Sequence, residues 1–258
     1  MVRPHEMIDM LWQPPSTRRG RILHVQRLDR TLPENSKYYG RWGYTIYRTH
    51  YSPETDKQWD TLLDALKRQT MLAVVYYQDV PFEDELMHQR DDFSPKAWYY
   101  KNQQEYSDDI KRTKDLFSLD VREDPSLNGL GVHEIREVCL RDRPEEQEAM
   151  AGRRFNLVLL ADKAVFEAIE RGEFVIKAVS YDWEDGWNNW GWMRIPTGYL
   201  LELWHSLERK DDNYHTVLSF KGPEEDLEEY IWPGSWGTDP TSKCSEIRKY
   251  IHYSNERR

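Results

Sequence analysis

The sequence predicts an α+β fold, a ferredoxin-like α/β sandwich whose mainly antiparallel sheet carries helices on one face. Three observations favour this fold. Strand-like and helix-like segments alternate along most of the chain. The strand-like segments are short and aromatic, and no glycine-rich turn follows the first of them. A doubly wound parallel sheet is the alternative, because strict alternation of strands and helices is also its signature.

The first recognisable strand covers residues 42–51, where aromatic and β-branched residues are concentrated as in known strands. A helix follows it. Pro53 suits the first helical turn, and Thr55 and Gln58 have the spacing of a capping box. Apolar side chains then recur at positions i, i+3, i+4 and i+7, namely Trp59, Leu62, Leu63 and Leu66.

Residues 71–106 give a mixed pattern. Their first seven residues, MLAVVYY, fit either a strand or the end of the preceding helix. The remainder contains Pro81 and Pro95 and is typical of a long insertion. We therefore predict a basic N-terminal extension over residues 1–37 and a single α+β domain over residues 38–258, with an insertion around residues 71–106.

The second half of the chain repeats the alternation. Further strands are predicted over residues 116–122, 155–160, 174–181 and 193–195. Apolar residues at helical spacing predict three helices, which lie after Gly131, over residues 163–170 and around residues 200–207.

Composition indicates a folded chain. The sequence holds 11 Trp, 16 Tyr and 7 Phe, and disordered chains are poor in aromatic residues. It has no apolar run of roughly 20 residues, the length that a membrane helix requires. Its two cysteines, Cys139 and Cys244, are too few for a disulfide framework or a cysteine zinc site. We expect a cytoplasmic protein without a membrane partner.

The charge is unevenly distributed. The net charge is −10, but residues 1–50 hold nine Lys and Arg against four Asp and Glu. Arg18, Arg19 and Arg21 belong to this basic segment. Such a segment can contact nucleic acid phosphates, although a charge run of this kind is more often a solvated extension.

The most unusual segment is residues 181–192, YDWEDGWNNWGW. Trp183 and Trp187 alternate there with carboxylates, and a cation can lie over the face of a tryptophan ring. The carboxylates would add charge complementarity, so this surface suits a guanidinium or ammonium ligand; they are Asp182, Glu184 and Asp185. The alternative is a loop that its tryptophans attach to the protein body.

A second group of candidates lies on two strands. Arg48 and His50 share one face of the first strand, and Asp120 is central in the strand over residues 116–122. If these strands pair, a cation, an imidazole and a carboxylate converge and could provide general acid and base catalysis near neutral pH. An ordinary cross-strand ion pair is the alternative.

Metal and cofactor motifs are incomplete or missing. The segment His133-Glu134-Ile135-Arg136-Glu137 resembles half of a zinc helix, but Glu137 stands where the second histidine is needed. The sequence contains no GxGxxG, GxxxxGK[ST] or GxSxG pattern. We therefore expect no metal, and any catalysis would be free of cofactors.

Four segments resemble a large family of hypothetical fungal proteins: YGRWGYTIYRT at residues 39–49, EDPSLNG at 123–129, the strand at 157–160, and GWMRIP at 191–196. Genes for proteins of this kind also occur among the pathway genes of specialised metabolism. The chain is similar in this respect to the arginine-containing cyclodipeptide synthases, which condense arginine with a second amino acid drawn from aminoacyl-tRNA.

This resemblance implies an aminoacyl transferase. The acidic carboxylates of residues 181–192 would hold the substrate guanidinium, Trp183 and Trp187 would wall the pocket, and His50 would move protons. Arg18, Arg19 and Arg21 would contact the tRNA. Two alternatives are a cofactor-free cyclase or isomerase acting on a small pathway intermediate, and a non-catalytic domain that docks a protein partner. The second substrate and the oligomeric state stay open.

Overall fold

A computed structural model describes residues 4–19, 22–25, 28–79, 100, 102–142, 150–185, 189–209, 217–218, 220, 222–232 and 234. Helices and strands are both present, which confirms the α+β class. The helices are α1 (Pro4–Leu11), α2 (Pro53–Asp79), α3 (Gln103–Asp115), α4 (Val132–Asp142), α5 (Ala151–Phe155), α6 (Lys163–Glu170) and α7 (Leu200–Arg209). The strands are β1 (Ser16–Arg19), β2 (Ile22–Val25), β3 (Trp42–Arg48), β4 (Phe117–Glu123), β5 (Leu157–Ala161), β6 (Val175–Ser180) and β7 (Trp192–Pro196).

The main sheet has five strands in the order β4-β3-β5-β6-β7. β3 pairs with β5 in parallel, whereas β5 with β6 and β6 with β7 are antiparallel. The sheet is therefore mixed, and the prediction of a mainly antiparallel sheet was wrong. The alternation of apolar and polar residues in a sequence indicates which face of a strand is buried, but not the direction in which the strand runs. The antiparallel pairs also exclude the fully parallel alternative.

The centre of this sheet is buried on both faces. Every residue of β5 is buried, as is every residue of β6. The pairing register places Tyr47, Leu160, Lys177 and Arg194 in one row across four strands. The row thus begins with an aromatic and an apolar residue in β3 and β5 and ends with two cations, Lys177 in β6 and Arg194 in β7.

The chain divides into two compact units. Unit 1 comprises Met1–Trp42, Val74–Ser118 and Gln147–Ala149, and unit 2 comprises Gly43–Ala73, Leu119–Glu146 and Met150–Arg258. Among the described residues, unit 1 contains α1, which contacts α3, and the antiparallel hairpin of β1 and β2.

The elements of unit 1 lie largely in the segments for which the sequence predicts an extension and an insertion. Residues 1–37 contribute α1 and the hairpin, and α3 begins at Gln103, near the end of the expected insertion. The indole nitrogen of Trp42 donates to the carbonyl oxygen of Thr113 at 2.7 Å, and its ring lies 4.8 Å from that of Phe117. Within unit 1, the aromatic core residue Trp42 therefore packs against the end of α3.

The predicted helical stripes of unit 2 face its core. In α2, Trp59, Leu62 and Leu66 are buried and Leu63 is partly exposed. The segment MLAVVYY continues this helix rather than forming a strand. The helix begins one residue after Ser52, whose backbone N–H donates to Thr55 Oγ1 at 2.9 Å. The capping bonds therefore lie one turn earlier than the predicted pair of Thr55 and Gln58.

Element boundaries shift by one to three residues elsewhere. The first strand ends at Arg48 rather than at residue 51, so His50 follows the strand and does not share its face with Arg48 as the sequence predicted. Phe155, which the sequence places in a strand, instead ends α5, because Asn156 follows it with a left-handed φ of 50° and caps that helix. The helix over residues 163–170 has the predicted bounds. None of the described helices is long and apolar enough to cross a membrane.

A substitution at Tyr44 tests the hydrogen bond that joins β3 to α7. Tyr44 is fully buried, and its Oη donates to the carbonyl oxygen of Leu200 at 2.8 Å. Tyr44→Phe leaves that carbonyl without this donor, which we expect to lower the free energy of unfolding by about 1–3 kcal/mol. Urea unfolding followed by circular dichroism measures it. A loss below about 0.5 kcal/mol, the range of neutral surface changes, would contradict the assignment.

Candidate functional site

The loop that joins β6 to β7, residues 181–191, carries the tryptophans and carboxylates that the sequence singled out. We call it the acidic tryptophan loop. Residues 186–188, and with them Trp187, lie outside the described residues. Several contacts attach the described part to the rest of unit 2. The Tyr181 hydroxyl donates to the carbonyl oxygen of Gly152 at 2.5 Å, and the indole nitrogen of Trp190 donates to that of Gly222 at 2.9 Å. In addition, a buried arginine holds both ends of the loop.

That arginine is Arg136 of α4, which is 5% exposed. Its Nε donates to the carbonyl oxygen of Ser180 at 2.9 Å, and its Nη2 donates to that of Trp190 at 2.7 Å. The guanidinium carbon lies 4.5 Å from the centroid of the Trp183 ring, a cation–π distance. The guanidinium that lies over Trp183 is thus part of the protein itself, an arrangement of the kind in which the tryptophans attach the loop to the protein body.

Arg136 remains charged although it is buried. Desolvation lowers the pKa of Arg136 to about 10, although three carboxylates raise it. These carboxylates are Glu224, Asp185 and Asp182, in order of their effect. Because the pKa remains well above neutral, the guanidinium is charged at physiological pH and donates both of its backbone hydrogen bonds.

The backbone next to Trp183 is closely packed. Gly191 has a left-handed φ of 66°, and a Cβ atom there would overlap the Trp183 side chain. The indole nitrogen of Trp183 donates to the carbonyl oxygen of Asn189 at 2.8 Å, and the Gly191 N–H donates to Asn189 Oδ1 at 2.8 Å. The described part of the loop is therefore held by its own hydrogen bonds and tolerates only glycine at position 191.

The three predicted carboxylates differ in their surroundings. Asp182 is half-buried and accepts hydrogen bonds from Ser180 Oγ at 2.6 Å and from Asn156 Nδ2 at 2.8 Å. Glu184 and Asp185 are exposed, and neither makes a hydrogen bond within the described part of the chain. Asp182 thus serves the loop, while Glu184 and Asp185 face solvent.

Arg48, which the sequence predicts to be catalytic, is buried and makes contacts within the protein. It is 4% exposed and its Nη2 contacts Asp56 at 2.5 Å and Thr55 Oγ1 at 3.2 Å. Its guanidinium carbon lies 4.6 Å from the Tyr51 ring centroid and 5.7 Å from that of Trp59. Arg48 therefore ties the end of β3 to the first turns of α2.

The other two members of the predicted trio are placed differently. The Nε of Arg48 donates to the carbonyl oxygen of His50 at 3.1 Å, and the His50 ring lies 6.1 Å from that of Phe166. Asp120 pairs with Arg122 of its own strand at 2.6 Å. In the described residues, no hydrogen bond or ion pair joins Asp120 to Arg48 or His50. The structure thus joins Arg48 to the backbone of His50 rather than to its imidazole, and does not connect Asp120 to either residue.

The residues expected to contact tRNA are described only in part. Arg18 and Arg19 form the end of β1 in the hairpin with β2. Their side chains, and all of Arg21, lie outside the described residues. A short antiparallel hairpin thus carries two of the basic residues of the N-terminal segment.

A buried charged cluster that the sequence did not reveal lies on β6 and β7. Lys177 Nζ contacts Asp162 Oδ2 at 2.6 Å and lies 4.8 Å from the Trp192 ring centroid. Arg194 is directly opposite Lys177 across the strand pair. A signal was present, since Lys177 interrupts the apolar run VIKAVS. Arg136 gave a similar signal, because it occupies the i+4 position of the buried stripe that ends at Cys139.

A second cluster of this kind lies in unit 1, around Asp109 of α3. Asp109 is 5% exposed and lies 2.9 Å from Arg112 Nη1 and 3.6 Å from Arg30 Nη2. Burial raises the pKa of Asp109, although both arginines lower it. The raised pKa shows that this carboxyl is incompletely compensated for the loss of water.

The half zinc pattern does not assemble a metal site in the described chain. His133 is exposed, and its Nε2 lies 3.9 Å from a Glu224 oxygen. No group of three His, Cys, Asp or Glu side chains among the described residues could hold a metal ion.

Comparison with protein-family models, with curated proteins and with solved structures found no match to this chain. Its own contacts are therefore the basis for inferring its function.

Arg136→Lys tests the attachment of the acidic tryptophan loop. Lysine cannot donate to both carbonyls in the fixed geometry of a guanidinium. We expect a loss of about 1.5–3 kcal/mol in the free energy of unfolding, the value of hydrogen bonds from a charged group. Urea unfolding with tryptophan fluorescence measures the change. The control is Arg141→Lys on the same helix, since Arg141 is exposed and pairs with the neighbouring Asp142. Equal stabilities of the two variants would contradict this role.

The pKa of Asp109 predicts a pH dependence. Because burial raises this pKa, the native state binds more protons than the unfolded chain between the two pKa values, and stability falls as pH rises through the folded-state pKa. Asp109→Asn removes the titrating group. The stability of the wild type relative to this variant should therefore decrease as the pH rises above about 4, the ordinary pKa of an aspartate. Chemical denaturation at several pH values measures it.

The matched control for this titration is Asp108→Asn. Asp108 is exposed on the same helix and accepts a hydrogen bond from Gln104 at 2.8 Å. The same measurements on this variant correct for the loss of one negative charge from the helix. If the stability of the wild type relative to Asp109→Asn instead increased with pH, the raised pKa of Asp109 would be refuted.

Proposed function

We propose that this protein is a cofactor-free aminoacyl transferase that builds an arginine-containing cyclic dipeptide from aminoacyl-tRNAs. The observation that carries the proposal is the acidic tryptophan loop, which is fixed by its own hydrogen bonds and exposes Glu184 and Asp185 without hydrogen-bond partners in the described chain. The resemblance to the arginine-containing cyclodipeptide synthases supports the same choice. The ferredoxin-like arrangement and the cytoplasmic location belong to this proposal.

The contacts of the loop change how it would recognise arginine. The face of Trp183 is already covered by Arg136, and Asp182 is engaged by Ser180 and Asn156. The substrate guanidinium is therefore assigned to the outer carboxylates, Glu184 and Asp185, which can each accept charge-assisted hydrogen bonds. Trp187 is assigned as the aromatic wall of this subsite on the basis of the sequence.

The chemistry needs no cofactor because the ester bond of aminoacyl-tRNA is already activated. The amine of one aminoacyl group attacks the ester carbonyl of the other, the C–N bond forms, the C–O bond breaks, and the ribose hydroxyl leaves with a proton. A second attack by the remaining amine on the remaining ester closes the ring and releases the second tRNA. His50 is the group assigned to proton movement, since imidazole titrates near neutral pH.

In this proposal, binding of tRNA rests on the basic residues of the N-terminal segment. Arg18, Arg19 and Arg21 would contact phosphates, which makes affinity strongly dependent on salt. The net charge of −10 restricts such contact to this basic segment. Arg48 and Asp120 are assigned positioning roles, because both already pair within the protein.

The test is a reaction of the purified protein with arginyl-tRNA and a mixture of other aminoacyl-tRNAs, followed by mass spectrometry. We expect a cyclic arginine dipeptide that disappears after ribonuclease treatment. Glu184→Gln combined with Asp185→Asn should lower the yield at least about tenfold, because two charge-assisted bonds to the guanidinium are weakened.

The matched control is Glu170→Gln, an exposed carboxylate at the end of α6. It should leave the yield unchanged. Absence of any cyclic dipeptide, or tRNA affinity that is constant across a salt titration, would refute the transferase and favour a cyclase or isomerase acting on a small intermediate.

A further inference from the structure

Lys177 and Arg194 form a buried pair of like charges. They lie directly opposite each other on β6 and β7, and their side chains are 3% and 6% exposed. Like charges at opposite positions of a strand pair repel each other, and burial adds a desolvation cost to both. Such a pair is stable only when anions lie between or beside the two cations.

Two of the compensating carboxylates belong to the ends of α6. Asp162 Oδ2 lies 2.6 Å from Lys177 Nζ, and Asp162 Oδ1 accepts the Val165 N–H at 3.2 Å as the N-cap of that helix. Glu173 follows the helix, and its Oε2 lies 3.6 Å from Arg194 Nη2. Asp162 is fixed by its capping role, so it forms a permanent part of the cluster.

The third carboxylate, Glu228, differs from Asp162 in its exposure to solvent. It comes from the turn at residues 227–229, and its side chain is 46% exposed although its carboxylate contacts the buried Lys177 Nζ. A half-exposed group can reach this amine only if the amine faces the surface at that point. The contact between Glu228 and Lys177 therefore lies near the protein surface.

The remaining surroundings suit a carboxylate ligand. Arg194 Nη2 is buried and makes no hydrogen bond among the described residues, because the Glu173 carboxylate that pairs with it, at 3.6 Å, lies beyond hydrogen-bond distance. The Trp192 ring lies 4.8 Å from Lys177 Nζ and provides an apolar wall beside it. A carboxylate with a short hydrocarbon chain would match this combination of donors and aromatic surface.

We propose that Lys177 and Arg194 form a binding site for the carboxylate group of a small organic acid, and that Glu228 occupies this site as an internal competitor. A ligand enters when the Glu228 side chain rotates towards solvent. The turn itself stays in place, because the backbone carbonyl of Glu228 accepts a hydrogen bond from Arg194 Nη1 and the Trp232 N–H donates to the Arg194 carbonyl at 2.8 Å. This site does not depend on the proposed aminoacyl transfer.

The probe is propionate, which reproduces the Glu228 side chain beyond its Cα. Its affinity is measured by calorimetry against chloride at equal ionic strength. Glu228→Gln keeps the shape of the competitor and removes its charge, so we expect propionate to bind about tenfold more tightly to this variant than to the wild type. The control Glu225→Gln, a neighbouring carboxylate, should bind propionate like the wild type. Equal affinities of Glu228→Gln and the wild type would overturn the proposal.

A second measurement identifies the site independently of overall stability. An amine-selective acylating reagent is applied to Glu228→Gln, and modification of Lys177 is quantified by peptide mass spectrometry. The rate at Lys177 should exceed the wild-type rate, and propionate should slow it while leaving other lysines unchanged. Protection by chloride to the same extent as by propionate, or none by either, would also overturn the proposal.

Discussion

A guanidinium buried beneath the β6–β7 connection determines the path of the acidic tryptophan loop. Arg136 requires acceptors inside the protein, and the carbonyls of Ser180 and Trp190 supply them from the two ends of the loop. Both ends must therefore turn towards α4, and Gly191 adopts a left-handed conformation against Trp183 to allow it. The exposed positions of Glu184 and Asp185 follow from this one buried charge.

Buried cations recur at the other connections of unit 2. Arg48 joins the end of β3 to α2, and Lys177 joins β6 to the N-cap of α6. Such pairs add little net stability compared with apolar contacts, but their geometry is demanding. In this protein the apolar residues build the middle of the sheet, while the cations define where strands end and helices begin. An excess of acidic residues makes partners for these cations available.

Prediction from sequence succeeded where periodicity carries the information. The stripe of Trp59, Leu62 and Leu66 and the helix over residues 163–170 were identified because buried side chains recur at helical spacing. Strand direction was wrong, since alternation is the same in either direction. At the site, the sequence predicted that the loop suits a guanidinium or ammonium ligand, but it could not show that Arg136 already covers the Trp183 ring. That contact joins residues 47 positions apart, which no local pattern encodes.

The parallel pairing of β3 with β5 has a consequence for the synthesis of the protein. Ile46 is paired with Leu159, so one strand leaves the ribosome more than a hundred residues before its neighbour. At translation rates of about 5–20 residues per second, this delay lasts roughly 5–20 seconds. During that time the β5-pairing edge of β3, a strand buried along its whole length in the finished protein, is open to other chains. Nascent chains of this protein would therefore benefit from a chaperone that covers this strand until β5 emerges.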